Sequence, residues 1–401
     1  MNPPQMMIGD NSSVLDINPW NKLDDVMVEC VLAKFSISDI FFNCQVVCKR
    51  WSSVIHSPTF SIARIQLSDR CPWFLIFDIV SSAYVAYDTE VCDWRRPRVQ
   101  YSKPFEIAGK QPGHPFVASA GLVCFFQSGT GSLIVCNPFL GLVRSLPVLC
   151  MPNNDYVRGF ALHVSGPNYK VFVTYGRWPN LGMKVFSSEE KKASWVELPL
   201  RGLKNEYESW PLLQREMINN DNHLVQMKGV TVTGNEGQVL VFFLILNGIL
   251  VCFDTRKGTF LMYPRLLERE HISADLVECG GRVFLVVLME PVLGQPSSST
   301  TERRTLRVWV FNNEKAEWKH ISAMPTNMSK DYDFEAQIIC SGYGNYIMAC
   351  VNSIQDNYFN QVVVYNIQKN TWVELSPYFD DSNRLRIVWA YCFMPDFETK
   401  V

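Results

Sequence analysis

The sequence predicts a mainly β chain: a small N-terminal three-helix domain followed by a six-bladed β-propeller. Three observations carry that reading. Apolar residues recur at steps of three and four as far as Ile55, then form strand-like runs from Cys71 onward. A unit of strand, Asp/Asn/Ser turn and following large apolar residue returns six times. Aromatics reach 13 % while charged residues are only 19 %, below the roughly 25 % of an ordinary soluble protein, which suits buried strands better than a charged helical bundle.

The elements follow in order. Residues 1–17 are polar and rich in Met, Asn, Pro and Ser, and are expected to form a mobile tail without the apolar core of a secretory signal. Within 18–66, Leu23, Val26, Met27, Cys30, Val31 and Phe35 fall on one helical face, with Asp24 and Asp25 in the first turn where they oppose the helix dipole. A break at Ser36-Ile37-Ser38 precedes a second stripe of Ile40, Cys44, Val47, Cys48, Trp51, Val54 and Ile55, which Pro58 interrupts. About 45 residues of helix make too small a core to be very stable alone. The stripes therefore call for completion by another protein or by the following domain.

Residues 72–395 carry the repeat. Its turn residues are Asp88, Asn137, Ser187, Asp254, Asn312 and Asn366, at steps of 49, 50, 67, 58 and 54. The large residues that follow are Trp94, Leu146, Trp195, Phe260, Trp318 and Trp372, and Pro often comes next. A period near 50 is that of kelch-like blades, each a four-stranded sheet that must stack on its neighbours to bury both faces. The following aromatic is expected to pack between blades. Arg386–Phe393 is left over as one more strand, suited to complete the first blade and close the ring. The segment from Gly294 to Arg304 reads as a long loop.

The same residues exclude several function classes. A net charge of −2 gives no field to attract phosphate backbones, so no direct nucleic-acid role is expected. The uncharged stretch Gln238–Phe253 is shorter than the ~20 residues of a spanning helix and has Asn247-Gly248 in its middle, so it reads as two buried strands and no membrane anchor. Thirteen scattered cysteines contain no CxxC pair, which points to reduced thiols in the cytoplasm or nucleus and to no metal site. There is no GxSxG, HExxH or Walker loop, the six His stand apart, and Gly342-Tyr343-Gly344 reads as a turn. No enzyme activity and no cofactor are expected.

The helical segment Leu23-Asp-Asp-Val26, Val31-Leu32, Phe35-Ser-Ile37 and Val47-Cys48-Lys49-Arg50-Trp51 resembles an F-box. With Cys71–Phe77, Cys136-Asn137-Pro138 and Leu306–Trp309 followed by Trp318, the chain resembles the plant F-box/kelch-repeat proteins, in the group that includes unusual floral organs and hawaiian skirt. That resemblance implies a non-catalytic substrate receptor of a Skp–cullin–F-box ubiquitin ligase. The F-box would bind the Skp-type adaptor, and through it cullin and a RING subunit, while propeller loops capture the protein to be ubiquitinated. On this reading the adaptor-binding residues are Leu23, Val26, Val31, Leu32, Phe35, Ile37, Val47, Cys48 and Trp51. The chain departs from the family where Asp24 and Ser36 replace the usual prolines, a loss of preorganised helix starts that predicts weaker docking.

For substrate capture the candidates are Arg95 and Arg96 after Trp94, with Trp178, Tyr207 and Trp210 in the longest repeat step, since exposed aromatics and arginines are typical interface anchors. The alternative function is a propeller scaffold or transcriptional co-regulator acting without ubiquitin transfer.

Overall fold

The computed structural model describes residues 19–36, 39–67, 72–78, 83–95, 114–127, 131–137, 142–151, 156–177, 180–190, 193–199, 227–245, 248–263, 266, 273–289, 304–330, 332, 336–352, 360–376, 387–393 and 401. The chain divides into two compact units, Met1–Asp69 and Arg70–Val401.

The first unit is helical. A 3-10 turn (Pro19–Lys22) precedes α1 (Asp25–Leu32), a π-helical turn (Ile40–Cys44), α2 (Lys49–Ile55) and α3 (Pro58–Leu67). Caps explain the starts. Asp24 Oδ1 accepts the Met27 N–H at 2.7 Å, and Ser57 Oγ accepts the Phe60 N–H at 3.1 Å. Pro58 follows Ser57 at the first helical position, where its missing N–H costs nothing. It therefore both ends the second stripe and opens a further helix. That second stripe is not one continuous face. Cys48 is extended (φ −159°), caps α2 through its Sγ, and so separates the π-helical turn from α2. Val28, Leu32, Ala33, Ile40, Ile55 and Phe60 are all 0 % exposed and form the unit's core.

The second unit is built of strands, with a 3-10 turn at Thr326–Met328. It begins with β1 (Trp73–Asp78), β2 (Ala83–Asp88) and β3 (Asp93–Arg95), then β4 (His114–Ser119), β5 (Leu122–Gln127), β6 (Ser132–Asn137) and β7 (Leu142–Ser145). Next are β8 (Val157–Ser165), β9 (Asn168–Arg177), β10 (Asn180–Ser187), β11 (Val196–Leu198), β12 (Met227–Thr233), β13 (Val239–Leu244), β14 (Leu250–Asp254) and β15 (Thr259–Tyr263). The last are β16 (Ser273–Cys279), β17 (Arg282–Met289), β18 (Thr305–Asn312), β19 (Glu317–Ala323), β20 (Gln337–Tyr343), β21 (Tyr346–Asn352), β22 (Asn360–Asn366), β23 (Thr371–Glu374) and β24 (Ile387–Phe393).

Four sheets have four strands each, and the fifth has eight because β8 and β12 pair in parallel over two residue pairs. The leftover strand β24 pairs antiparallel with β1, Trp73 opposite Phe393, so the end of the sheet unit completes its beginning. In chain order, the leading strands β4, β8, β12, β16, β20 and β24 each touch the next, and β24 touches β4. Apolar layers lie between adjoining meanders. One layer combines Phe172 and Met183 with Phe243 and Phe253, another Phe284 and Leu306 with Ile347 and Tyr365. A third joins the last meander to the first, with Met348 and Val362 against Phe74 and Tyr87.

The repeat has a local cause. Asp88, Asp254, Asn312 and Asn366 each pair with the residue five positions on. Their side-chain Oδ1 accepts a turn N–H, for example Asp254 from Arg256 and Lys257 at 2.9 and 3.0 Å. The fourth turn residue is left-handed in all four: Cys92 (φ 53°), Gly258 (φ 64°), Ala316 (φ 54°) and Asn370 (φ 51°). The aromatic that follows lies opposite the one before the turn residue, giving Tyr87–Trp94, Phe253–Phe260, Phe311–Trp318 and Tyr365–Trp372 at 5.2, 5.7, 5.0 and 4.6 Å.

These aromatics therefore stack first on their own meander. Three indoles then tie to the preceding one: Trp94 Nε1 donates to the Ser376 carbonyl, Trp195 to the Pro147 carbonyl, and Trp372 to Ser322 Oγ. In the second meander the true equivalent is Val143, opposite Cys136. Leu146 instead returns its N–H to the Leu133 carbonyl at 2.8 Å, as Met324 does to Leu306 and Leu375 to Val362.

Gln238–Phe253 forms the β13–β14 hairpin, with Gly248 at φ 79° in its loop. No described helix is long and apolar enough to cross a membrane. The segment Gly342-Tyr343-Gly344 is only half a turn. Gly344 turns (φ 57°), whereas Gly342 lies in β20, where a Cβ would sit 2.4 Å from Cys279 Sγ and 2.9 Å from the Glu278 carbonyl. The loop segment from Gly294 lies outside the described residues until Arg304.

Candidate partner-docking surface

The apolar stripe of α1 that carries Val26, Met27, Val31 and Phe35 is exposed. Val26 is 69 % exposed, Met27 57 %, Val31 36 % and Phe35 39 %, while the opposite side of α1, Val28 and Leu32, is 0 % exposed. A helix of eight residues is thus apolar on both sides, and this unit covers only one of them. Water-exposed apolar side chains at this density mark an interaction surface. Val46 and Val47, in the turn before α2, are 71 % and 60 % exposed, adding apolar residues on a second element.

The sequence-derived candidates sort as follows. Val26, Val31, Phe35, Val47 and Cys48 are exposed, and Leu23 is half-buried. Trp51 is half-buried, its ring edge-on to Trp20 with centroids 4.8 Å apart. Leu32, expected on the docking face, is instead fully buried and serves the unit's own core. Ile37 lies outside the described residues. Met27 and Val46 were not singled out, although Met27 shares the stripe of Val31.

Polar bonds fix this surface from behind. Arg50 donates through Nε to Asp25 Oδ1 at 2.8 Å, through Nη1 to the Trp20 carbonyl at 2.9 Å, and through Nη2 to the Leu23 carbonyl. Thr59 Oγ1 donates to Glu29 Oε2 at 2.7 Å. Ser36 and Asp39 bond reciprocally: the Asp39 N–H donates to Ser36 Oγ at 3.1 Å, and Ser36 Oγ donates to Asp39 Oδ2 at 2.9 Å. These bonds tie the end of the α1 segment to the residue that opens the π-helical turn. Of the two positions where proline was expected, Asp24 caps α1, and Ser36 accepts the Asp39 N–H just ahead of the π-helical turn. Burial, with the Asp39 carboxylate nearby, raises the Cys44 thiol pKa.

In the sheet unit, a cavity runs among the leading strands, lined by Ser119, Lys228, Thr231, Glu278, Ser341 and Tyr391, among others. These strands carry free edges, and side chains satisfy them. Asp275 Oδ2 accepts the Cys340 N–H at 2.7 Å, Ser273 Oγ accepts that of Ile338 at 2.8 Å, and Ser341 Oγ accepts that of Cys392. Lys228 Nζ donates at 2.7 Å both to Asp275 Oδ2 and to the Cys340 carbonyl, joining β12, β16 and β20. Burial, with the Asp275 and Cys124 groups adding to it, pushes the Tyr391 hydroxyl far up, so it stays neutral.

Of the substrate-capture candidates, Arg95 sits half-buried at the end of β3, with Nη2 3.9 Å from Asp93 Oδ2. Arg96, Trp178, Tyr207 and Trp210 lie outside the described residues.

A helical unit that displays apolar side chains, joined in one chain to a propeller-like sheet unit, defines a two-part binding protein. The chain belongs to the family described as the F-box associated beta propeller domain, whose model matches residues 95–377, and the F-box domain model matches residues 20–62. It is 28 % identical to F-box only protein 13 of Arabidopsis thaliana, over 96 % of this chain and 86 % of that one. It is 22 % identical to F-box only protein 6 of the same plant, over 96 % and 75 %. It is also 22 % identical to its protein UNUSUAL FLORAL ORGANS, over 90 % and 80 %. It is a plant-type F-box protein with an F-box-associated propeller.

Proposed function

We propose that this protein is a substrate-recognition subunit of a Skp–cullin–F-box ubiquitin ligase with no bond-making chemistry of its own. The carrying observation is the outward apolar side of α1, with Val26, Met27, Val31 and Phe35 uncovered in a segment matched by the F-box model. Burying these side chains in a groove of a Skp-type adaptor contributes roughly 1.5–3 kcal/mol each if fully enclosed.

On this reading the sheet unit is a closed kelch-like propeller of six blades that captures the protein to be modified. The period near 50, the contacts from β4 round to β24 and the β24–β1 pairing support it. The twelve described cysteines are free thiols, which suits a reducing compartment, cytoplasm or nucleus.

The test is reconstitution. The purified chain is mixed with a Skp-type adaptor, cullin and RING subunit and recovered by a tag on its propeller end. Retention of all three supports the receptor reading. Failure to retain any of them points to the scaffold or co-regulator role.

A further inference from the structure

Arg64 lies in α3, two residues beyond the segment 20–62 that the F-box model matches. It is only 7 % exposed. Its Nη1 donates to the Ala33 carbonyl at 2.8 Å and to the Phe35 carbonyl at 2.6 Å. These acceptors stand at and just past the C-cap of α1, where helical carbonyls have no intrahelical partner and the dipole is negative. One buried cation therefore satisfies two orphan acceptors on either side of Lys34. It also fixes the backbone of the residue whose ring ends the apolar stripe.

The rest of that chain end is held lightly. Ala33 keeps an α-helical bond to the Glu29 carbonyl at 2.8 Å, but Lys34 and Phe35 close only short turns, through N–H bonds to the Val31 and Leu32 carbonyls at 3.1 Å each. Phe35 itself is 39 % exposed, so core packing does not lock its position. Without the Arg64 bonds the exposed end at Lys34 and Phe35 is free to fray, and a side chain that must enter a partner's groove pays the ordering entropy on binding.

We infer that Arg64 is a positioning residue for adaptor docking: it holds the end of α1 so that Phe35 and Val31 are presented in their binding geometry. The inference rests on the adaptor-binding reading above. Arg64 acts through Phe35.

The test is titration calorimetry of full-length wild type, Arg64→Met, Arg64→Lys, Phe35→Ala and Arg64→Met/Phe35→Ala against a purified Skp-type adaptor. Circular dichroism confirms that each variant is helical. The expected result is an affinity loss of about tenfold for Arg64→Met, the scale of a lost charge-assisted bond pair. Arg64→Lys, whose ammonium also donates to two carbonyls, regains most of it. Arg64→Met costs much less in the Phe35→Ala background, because the residue it positions is gone.

If wild type binds and folded Arg64→Met binds equally well, or its cost is unchanged by Phe35→Ala, the positioning role is overturned while adaptor docking stands. If wild type does not bind, the docking reading fails and the inference fails with it.

Discussion

Asp24 Oδ1 accepts the backbone N–H of Met27 at 2.7 Å, so the residue standing in place of the family's first proline supplies the helix start by a different physical route. Proline preorganises φ, whereas Asp satisfies one of the orphan donors and opposes the dipole. At the second position Ser36 Oγ accepts the Asp39 N–H. Asp24→Ala is expected to destabilise the helical unit by about 1 kcal/mol, and Asp24→Asn by only a few tenths, measured as loss of helical ellipticity on heating.

Asp88 is 0 % exposed, and burial raises its carboxyl pKa to about 6. The folded state thus holds the proton above the pH at which the unfolded chain releases it near 3.8. Stability is highest below that point, falls as pH rises to about 6, and stays lower beyond. Asp88→Asn keeps the acceptor for the Glu90 N–H, as Asn312 and Asn366 do in their own turns. It is expected to raise stability at pH 7 by about 1–3 kcal/mol and to flatten the fall between pH 4 and 6 in urea unfolding. An unchanged pH slope would contradict this.

Lys228 and Asp275 form a pair with side chains 19 % and 18 % exposed. Asp275→Ala strands a half-buried ammonium and the Cys340 N–H together, at a cost of about 3 kcal/mol. Asp275→Asn keeps an acceptor and costs about 1 kcal/mol. Chemical denaturation of the sheet unit gives the comparison, and equal costs would contradict the network described.

Gly342 is in a strand because β16 and β20 come too close for a Cβ, which would stand 2.4 Å from Cys279 Sγ. Gly342→Ala is expected to cost about 1–3 kcal/mol, like other overpacking changes. A neutral outcome in thermal unfolding would show that the strands separate freely.

The repeat aromatics differ in burial, and their truncation costs differ accordingly. Phe260 is 2 % exposed, and Phe260→Ala should cost about 3–5 kcal/mol. Trp372 is half-buried and ties to Ser322 Oγ at 3.1 Å. Its replacement by Phe keeps the stacking on Tyr365 and should cost about 1 kcal/mol. Parallel urea titrations decide the order.

Much of this architecture was legible because the turns are chemically exacting. An Asx side chain that accepts turn N–H groups, with a stacking aromatic at a fixed offset, leaves its mark at Asp88, Asp254, Asn312 and Asn366. Where Val143 takes the aromatic's place, the spacing misled, and Leu146 was matched to the wrong position. Which apolar residues of α1 stay exposed and which hold the helices together was not legible. Apolar periodicity reports a face but not what covers it, and Val28 with Leu32 forms a second, shorter stripe that the core uses. Arg64 left no signal at all, since its acceptors are backbone carbonyls about thirty residues away (31 and 29). The substrate side rests on Trp178, Tyr207 and Trp210, outside the described residues.

The most direct measurement is the affinity of a purified Skp-type adaptor for the full chain and for Val26→Asp/Val31→Asp. Both substitutions lie on the exposed side of α1 and leave Val28 and Leu32 in place. The account predicts that wild type binds and that the folded variant loses binding by about a hundredfold or more, since each change buries a charge in an apolar contact. Equal binding by the two proteins would contradict it, because the adaptor would then be using some other surface.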